Sequence, residues 1–72
     1  MRRITFGELQ REVAREYRLQ QELFDESQED IDLGKDEIHG ARDYNELLNA
    51  LSYLGFDDPA GMVMGIVFDF EV

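Results

Sequence analysis

Carboxylates are the most abundant side chains able to do chemistry in this sequence, and they are densest between residues 25 and 37. Such groups can coordinate a hard cation, supply a general acid and base, or present a negative surface to a basic partner. The chain has 17 Asp and Glu against 7 Lys and Arg, a net charge of -10 at pH 7. The candidate binding residues are Asp25, Glu26, Glu29, Asp30, Asp32, Asp36 and Glu37, which we call the acidic stretch, together with Asp57 and Asp58.

A calcium loop is the most specific chemical interpretation of these acids. The spacing of Asp30, Asp32 and Asp36 resembles part of an EF-hand loop. However, Gly34 comes one position early, and Ala41 stands where the loop requires a bidentate Glu. We therefore expect no specific metal site, and only weak attraction of cations to an acidic segment.

The components of nucleophilic catalysis are scarce in this chain. It has no Cys and a single His, His39, which we interpret as a surface histidine. The aliphatic hydroxyl groups are those of Thr5, Ser27 and Ser52, and none has a recognisable base beside it. Neither serine lies in the Asp-Ser-Leu attachment site of acyl carrier proteins, so no cofactor is expected. We predict that the protein is not an enzyme and acts by binding.

The charge is distributed unevenly along the chain. Residues 1–18 contain five Arg and three Glu, a balance of +2, whereas residues 19–72 contain 14 acids and two bases, a balance of -12. Binding to nucleic acid requires a basic footprint, so we expect no direct contact with nucleic acid. The natural complement of this surface is a basic protein, in particular one that itself binds nucleic acid.

Length and hydropathy limit the organisation of the chain. With 72 residues the sequence forms one domain at most, residues 1–72. No apolar run approaches the roughly 18 residues of a membrane span, and the N-terminal segment is charged and amphipathic rather than like a signal peptide. We therefore expect no membrane contact and a cytoplasmic location.

Two helices have clear start signals in the sequence. Thr5 and Glu8 have the spacing of a capping box, which predicts a helix from Phe6 to about residue 24. Asp43 and Glu46 repeat the spacing, and a second helix of about three turns would end at Gly55. The apolar faces are Phe6, Leu9, Val13, Tyr17 and Phe24 in the first helix and Tyr44, Leu47, Leu48, Leu51 and Leu54 in the second.

The other segments are less regular in pattern. Gly34 and Gly40 interrupt residues 25–43, which predicts an irregular connection or short helical turns carrying an acidic ridge. After Pro59, alternation of apolar residues favours a short helix or turn and then a strand, and a continuous helix is the alternative. The fold class expected is mainly α, a small single domain of two to three helices, or α+β with a short C-terminal strand. The residues that alternate are Ile66, Phe68, Phe70 and Val72.

A very short, cysteine-free, strongly acidic chain without a catalytic motif resembles the phage-encoded anti-CRISPR proteins and related DNA mimics. The resemblance is one of size and charge, carried by the acidic stretch and the Asp57–Asp58 pair. It implies an inhibitor that occupies the basic DNA-reading or PAM-reading surface of a CRISPR effector subunit and keeps target DNA out. Duplex DNA carries one phosphate charge per ~1.7 Å of axis, and ordered carboxylates can present a similar field.

A second hypothesis assigns the function to the apolar C-terminal segment. A chain of this length has a marginal core and gains stability from a second subunit. The segment could pair with a copy of itself, which predicts a structural or assembly subunit in the form of a homodimer. A homodimeric inhibitor would satisfy both hypotheses. The apolar residues concerned are Met62, Met64, Phe68 and Phe70.

Overall fold

The first helix begins where its capping signals place it. The computed structural model describes residues 3–71, and α1 spans Phe6–Leu23. The Thr5 hydroxyl accepts a hydrogen bond from the backbone N–H of Glu8 (3.1 Å), and the Glu8 carboxylate accepts one from the backbone N–H of Thr5 (3.2 Å). The predicted helix is therefore confirmed. Its predicted apolar face is wrong at Phe24, which follows the last turn and is 74% exposed.

The helix predicted after residue 43 is also present. α3 spans Tyr44–Tyr53, and the carboxylate of its N-cap, Asp43, accepts a hydrogen bond from the N–H three residues on (2.9 Å). Gly55 follows the helix with φ 99°, in the left-handed region that favours glycine. The N–H of Phe56 then donates to the carbonyl of Leu51 (3.1 Å), which completes a Schellman motif.

The irregular connection predicted for residues 25–43 is wrong, because most of it is a helix. α2 spans Gln28–Gly40, and its N-cap Ser27 accepts a hydrogen bond from the backbone N–H of Asp30 (3.2 Å). Carboxylates in the first turn, those of Glu29 and Asp30, interact favourably with the helix dipole. The same acids that suggested a solvated loop therefore stabilise the start of a helix.

Gly34 lies inside α2 without breaking it, and its missing side chain makes room for Tyr17 of α1. The Tyr17 ring of α1 occupies the space in which a Cβ at position 34 would lie. The buried side chains of Ile31 and Ile38 share this face of α2. The glycine thus serves packing between helices, a role that cannot be seen from its neighbours in sequence.

The prediction of a C-terminal strand is also wrong, and the structure has the alternative, a continuous helix. α4 spans Pro59–Glu71, with the Asp58 carboxylate accepting a hydrogen bond from the N–H of Gly61 (3.1 Å). No strand occurs anywhere between residues 3 and 71, and Val72 lies outside the described residues. The apolar run also satisfies helical spacing, and the cap with proline at the first helical position decides between the two. The α4 residues that belong to the core or pack against it are Met62, Val63, Ile66 and Val67.

The mainly α fold class is confirmed, but the described part of the chain has four helices where two to three were expected, because residues 28–40 are also helical. α1 packs on α2 and α4, and α3 also packs on α2 and α4, so the helices form a closed cycle. The Glu71 carboxylate accepts a hydrogen bond from the backbone N–H of Ile4 (3.0 Å) and joins the end of α4 to the start of α1. Within residues 3–71, none of the helices has the length and apolar character needed to cross a bilayer.

Gln10 is a buried polar side chain that fastens α2 to α1. Its side-chain nitrogen donates to the carbonyl oxygens of Ile38 (3.0 Å), His39 (3.2 Å) and Ala41 (2.8 Å). The last carbonyls of a helix lack the usual partner within the helix, and this amide adds a donor for them beside the Ala41 N–H, which donates to the Ile38 carbonyl (3.3 Å). It fixes the C-terminal end of α2, and with it the direction in which the acids of α2 point.

Candidate functional site

The acids of α2 are arranged along one side of the helix. Glu29, Asp32 and Asp36 have helical spacing and are exposed on the face opposite the buried Ile31 and Ile38. From residue 29 to residue 37, α2 carries five carboxylates and Lys35, a net charge of -4 over about 12 Å of helix axis, whereas duplex DNA carries about seven phosphate charges over that length. The density of negative charge along α2 is therefore somewhat more than half that of a DNA duplex.

A groove between α2 and α3 gathers part of this charge. Two adjoining cavities of about 480 and 370 Å³ share Asp36, Glu37 and Tyr53 in their walls, and we call them together the acidic groove. Every charged side chain that lines it is a carboxylate. Small residues also line the groove, and Gly40, Ala41 and Ala50 leave room for an inserted side chain. The acids are Asp30, Asp36, Glu37 and Glu46, and the small residues are Gly34, Gly40, Ala41 and Ala50.

Two exposed apolar side chains give the acidic groove a second chemical character. Tyr53 is 80% exposed and Leu33 is 60% exposed. An arginine guanidinium stacks on an aromatic face while it donates paired hydrogen bonds to a carboxylate. The arrangement of Tyr53 beside Asp36 and Glu37 is thus chemically suited to an arginine side chain, with Leu33 available to the apolar part of a partner.

The buried Tyr17 connects the groove to the start of α2. Burial raises the pKa of the Tyr17 phenol, and the nearby carboxylates of Asp30 and Glu26 raise this pKa further. The ring of Phe56, which precedes the Asp57–Asp58 pair, lies 6.2 Å from the Tyr17 ring, centroid to centroid. Tyr17 therefore contacts the residue that precedes the second acidic pair, while the charges that act on its phenol are those of Asp30 and Glu26.

The carboxylates of the predicted site are exposed, and none of them forms an ion pair with a base between residues 3 and 71. The two ion pairs found within residues 3–71 lie on α1, between Arg15 and Glu12 (3.8 Å) and between Arg18 and Glu22 (3.7 Å). None of the nine predicted site residues takes part in them. The acids of the site consequently keep their charge available for a partner.

The predicted site residues fall into three places. Asp25 and Glu26 form the turn between α1 and α2, where Asp25 adopts a left-handed conformation with φ 61°. Asp57 and Asp58 lie in the turn before α4, and Asp58 also caps that helix. The residues on α2 itself are Glu29, Asp30, Asp32, Asp36 and Glu37, of which Asp30, Asp36 and Glu37 line the acidic groove.

Sequence reasoning missed the contribution of α3 to this site. Glu46 was assigned only to helix capping, and its carboxylate does accept a hydrogen bond from the backbone N–H of Arg42 (2.9 Å). Tyr53 and Leu33 were not assigned to the site at all. A signal was present for Tyr53, because it is a large aromatic residue off the apolar face of a well-predicted helix.

The partial resemblance to a calcium loop has a different structural basis. Asp30, Asp32 and Asp36 all belong to α2, so their backbone is helical and not that of an EF-hand loop. Among residues 3–71, no three Asp, Glu or His side chains converge in a way that could hold a metal ion.

Comparison with known proteins gives no family for this chain. No protein-family model, curated protein or solved structure matches it.

Proposed function

We propose that this protein is an inhibitor that binds the basic nucleic-acid-binding surface of a partner protein, in the manner of an anti-CRISPR DNA mimic. The observation that carries the proposal is the row of five exposed carboxylates along α2, none of which forms an ion pair within residues 3–71 and which exceed the one base among them by four charges. In a CRISPR effector the corresponding surface is lined by the Arg and Lys side chains that read the PAM and hold DNA.

The acidic groove supplies the specific part of this proposed contact. Arginine side chains of the partner would pair with Asp36 and Glu37 and stack on Tyr53, which displaces their contacts with DNA. The long-range field of the acids would draw the two proteins together. The proposed inhibitor therefore acts by occupancy and requires no catalytic group.

The proposal predicts inhibition that depends on the groove carboxylates. In a panel of purified CRISPR effector complexes, the protein should reduce binding of labelled target DNA by at least one complex, as measured by gel mobility shift. Changing Asp30→Asn, Asp36→Asn and Glu37→Gln together should weaken this inhibition about 30-fold, since each lost charge pair removes of the order of 0.7 kcal/mol. Inhibition should also weaken as salt rises, because the contact is electrostatic.

A matched variant separates local charge from net charge. Glu16→Gln, Glu22→Gln and Asp69→Asn change the net charge by the same amount at exposed positions away from the groove. This control should keep inhibition within about threefold of the wild type, a difference of roughly 0.7 kcal/mol. The proposal fails if no effector is inhibited, or if both triple variants lose inhibition equally.

One observation favours a second candidate function, assembly through α4. The outer face of α4 exposes Met64 (60%) and Phe68 (70%), and residues 59–68 contain no charged side chain. In a chain of net charge -10, an uncharged apolar face is where a second copy meets least repulsion. A homodimer formed through α4 would leave the acidic groove open.

This second candidate predicts a concentration-dependent dimer. Light scattering coupled to size-exclusion chromatography should give twice the mass of the chain, and Met64→Ser with Phe68→Ser should give the monomer mass. Leu23→Ser with Phe24→Ser removes two residues that are 85% and 74% exposed elsewhere and should leave the dimer intact. A monomeric wild type at high protein concentration would exclude assembly and leave the inhibitor proposal standing.

A further inference from the structure

The side of α2 that faces α1 has the opposite charge to the acidic groove. A cavity of about 270 Å³ lies between the two helices, and we call it the basic groove. Its wall contains four of the seven Lys and Arg residues of the chain and the only histidine. A single carboxylate, that of Glu12, accompanies them. The basic residues are Arg11, Arg15, Arg18, Lys35 and His39.

Helical spacing explains how these residues come together. Arg11, Arg15 and Arg18 lie at positions i, i+4 and i+7 of α1, on one face. Lys35 and His39 are four residues apart on α2, on the flank turned away from Asp30 and Glu37. The pairing of α1 with α2, fixed by Tyr17 over Gly34, places the two rows opposite each other.

The bases of this groove are incompletely satisfied within the protein. Arg11 and Lys35 form no ion pair with any residue between 3 and 71. Arg15 and Arg18 form only long pairs, at 3.8 and 3.7 Å, between exposed side chains, and such pairs contribute little and are easily exchanged. The chain has 17 acids, yet Arg11 and Lys35 both face one cavity without an ion pair. Solubility alone does not require this arrangement.

The remote acids do not cancel this local charge at ordinary salt. An α-helix is about 10–12 Å across, and the Debye length at 0.15 M ionic strength is about 8 Å. The field of the acids beyond α2 is therefore largely screened at the basic groove. Close at hand, four permanent positive charges face two carboxylates, that of Glu12 in the wall and that of Glu22 beside Arg18, so the charges of Arg11 and Lys35 remain in excess.

From this geometry we infer that the basic groove binds a pyrophosphate group. Arginine forks donate paired hydrogen bonds to phosphoryl oxygens, and a lysine adds a point charge. A volume of about 270 Å³ accommodates two phosphoryl groups, and the wall holds no Phe, Tyr or Trp side chain on which a nucleobase could stack. The ligand is thus recognised by its phosphates alone. This site is separate from the acidic groove and does not depend on the proposed inhibition.

Titration with inorganic pyrophosphate tests the inference. In ¹H–¹⁵N NMR spectra at about 0.15 M salt, the backbone signals of residues 11–18 and 35–39 and the ring signals of His39 should shift and saturate. Sodium chloride added to the same ionic strength should not reproduce these shifts. Shifts that are spread over the chain, or that grow linearly without saturation, would overturn the inference.

Charge variants show whether the groove itself is responsible. Arg11→Gln with Lys35→Gln should weaken pyrophosphate binding about tenfold or more. Arg3→Gln with Arg42→Gln makes the same change of net charge outside the groove and should leave binding unchanged, with circular dichroism confirming that both variants fold. Equal losses in the two variants would overturn the inference. ADP should bind no more tightly than pyrophosphate, and tighter binding of ADP would contradict recognition by phosphate alone.

Discussion

A Gln10→Glu variant is expected to have a free energy of unfolding about 3 kcal/mol or more below that of the wild type. The carboxylate has no N–H to donate, and it would place a negative charge against the carbonyl oxygens of Ile38, His39 and Ala41. These carbonyls form the negative end of the α2 dipole, which adds to the repulsion. Since small domains have a total stability of about 5–15 kcal/mol, urea unfolding followed by circular dichroism at pH 7 would detect the loss.

Gln20→Glu is the control for this prediction, because it makes the same chemical change on an exposed part of α1. Burial against carbonyl oxygens should raise the pKa of the new carboxyl at position 10 above its value in the unfolded chain. The loss of stability is then fully present above the raised pKa and shrinks as pH falls, because the protonated acid donates a hydrogen bond. Equal stability of the two variants at pH 7 would show that the Gln10 contact is unimportant.

Gly34→Ala is expected to lower the free energy of unfolding by about 2 kcal/mol. In an open helix the change from Gly to Ala stabilises by about 1 kcal/mol. Here the new methyl group would overlap the Tyr17 ring, so α1 and α2 would have to separate or the ring would have to leave the core. Thermal or urea unfolding of the variant measures the net change in the free energy of unfolding that these two effects produce.

Gly65→Ala provides the matched control in α4, since no atom outside its own helix surroundings lies within 4 Å of a Cβ built there. That variant should gain about 0.5–1 kcal/mol. Combining Gly34→Ala with Tyr17→Leu should cost less than the sum of the two single changes, because the smaller side chain removes the overlap. Additive losses would mean that the ring and the glycine are not coupled.

The parts of the fold that could be predicted from sequence are those determined by neighbouring residues. The capping box at Thr5 and Glu8 and the glycine at position 55 act within one turn of chain, so α1 and α3 were placed correctly. Gly34 could not be interpreted in this way, because its role depends on Tyr17 in another helix. In α4 an apolar run fits the periods of both a strand and a helix, and the Asp58 cap selects the helix.

The candidate site shows the same contrast between features set by neighbouring residues and features set by contacts between helices. Its acids are close in sequence and could be recognised as a cluster before the structure was known. The shared direction of these acids could not be predicted from the sequence, because it requires α2 to be a helix whose C-terminal end is held by Gln10. The acidic groove further depends on Tyr53 from α3, and the basic groove on α1 and α2 lying side by side.

The acids on one flank of α2 and the bases on the other give the molecule an electric dipole across its width. In the field of a positively charged body, such a molecule experiences a torque as well as an attraction, and it turns so that Asp36 and Glu37 lead and Lys35 trails. Pre-alignment of this kind raises the fraction of diffusional collisions that are productive, and so acts on the rate of capture more than on the lifetime of the complex.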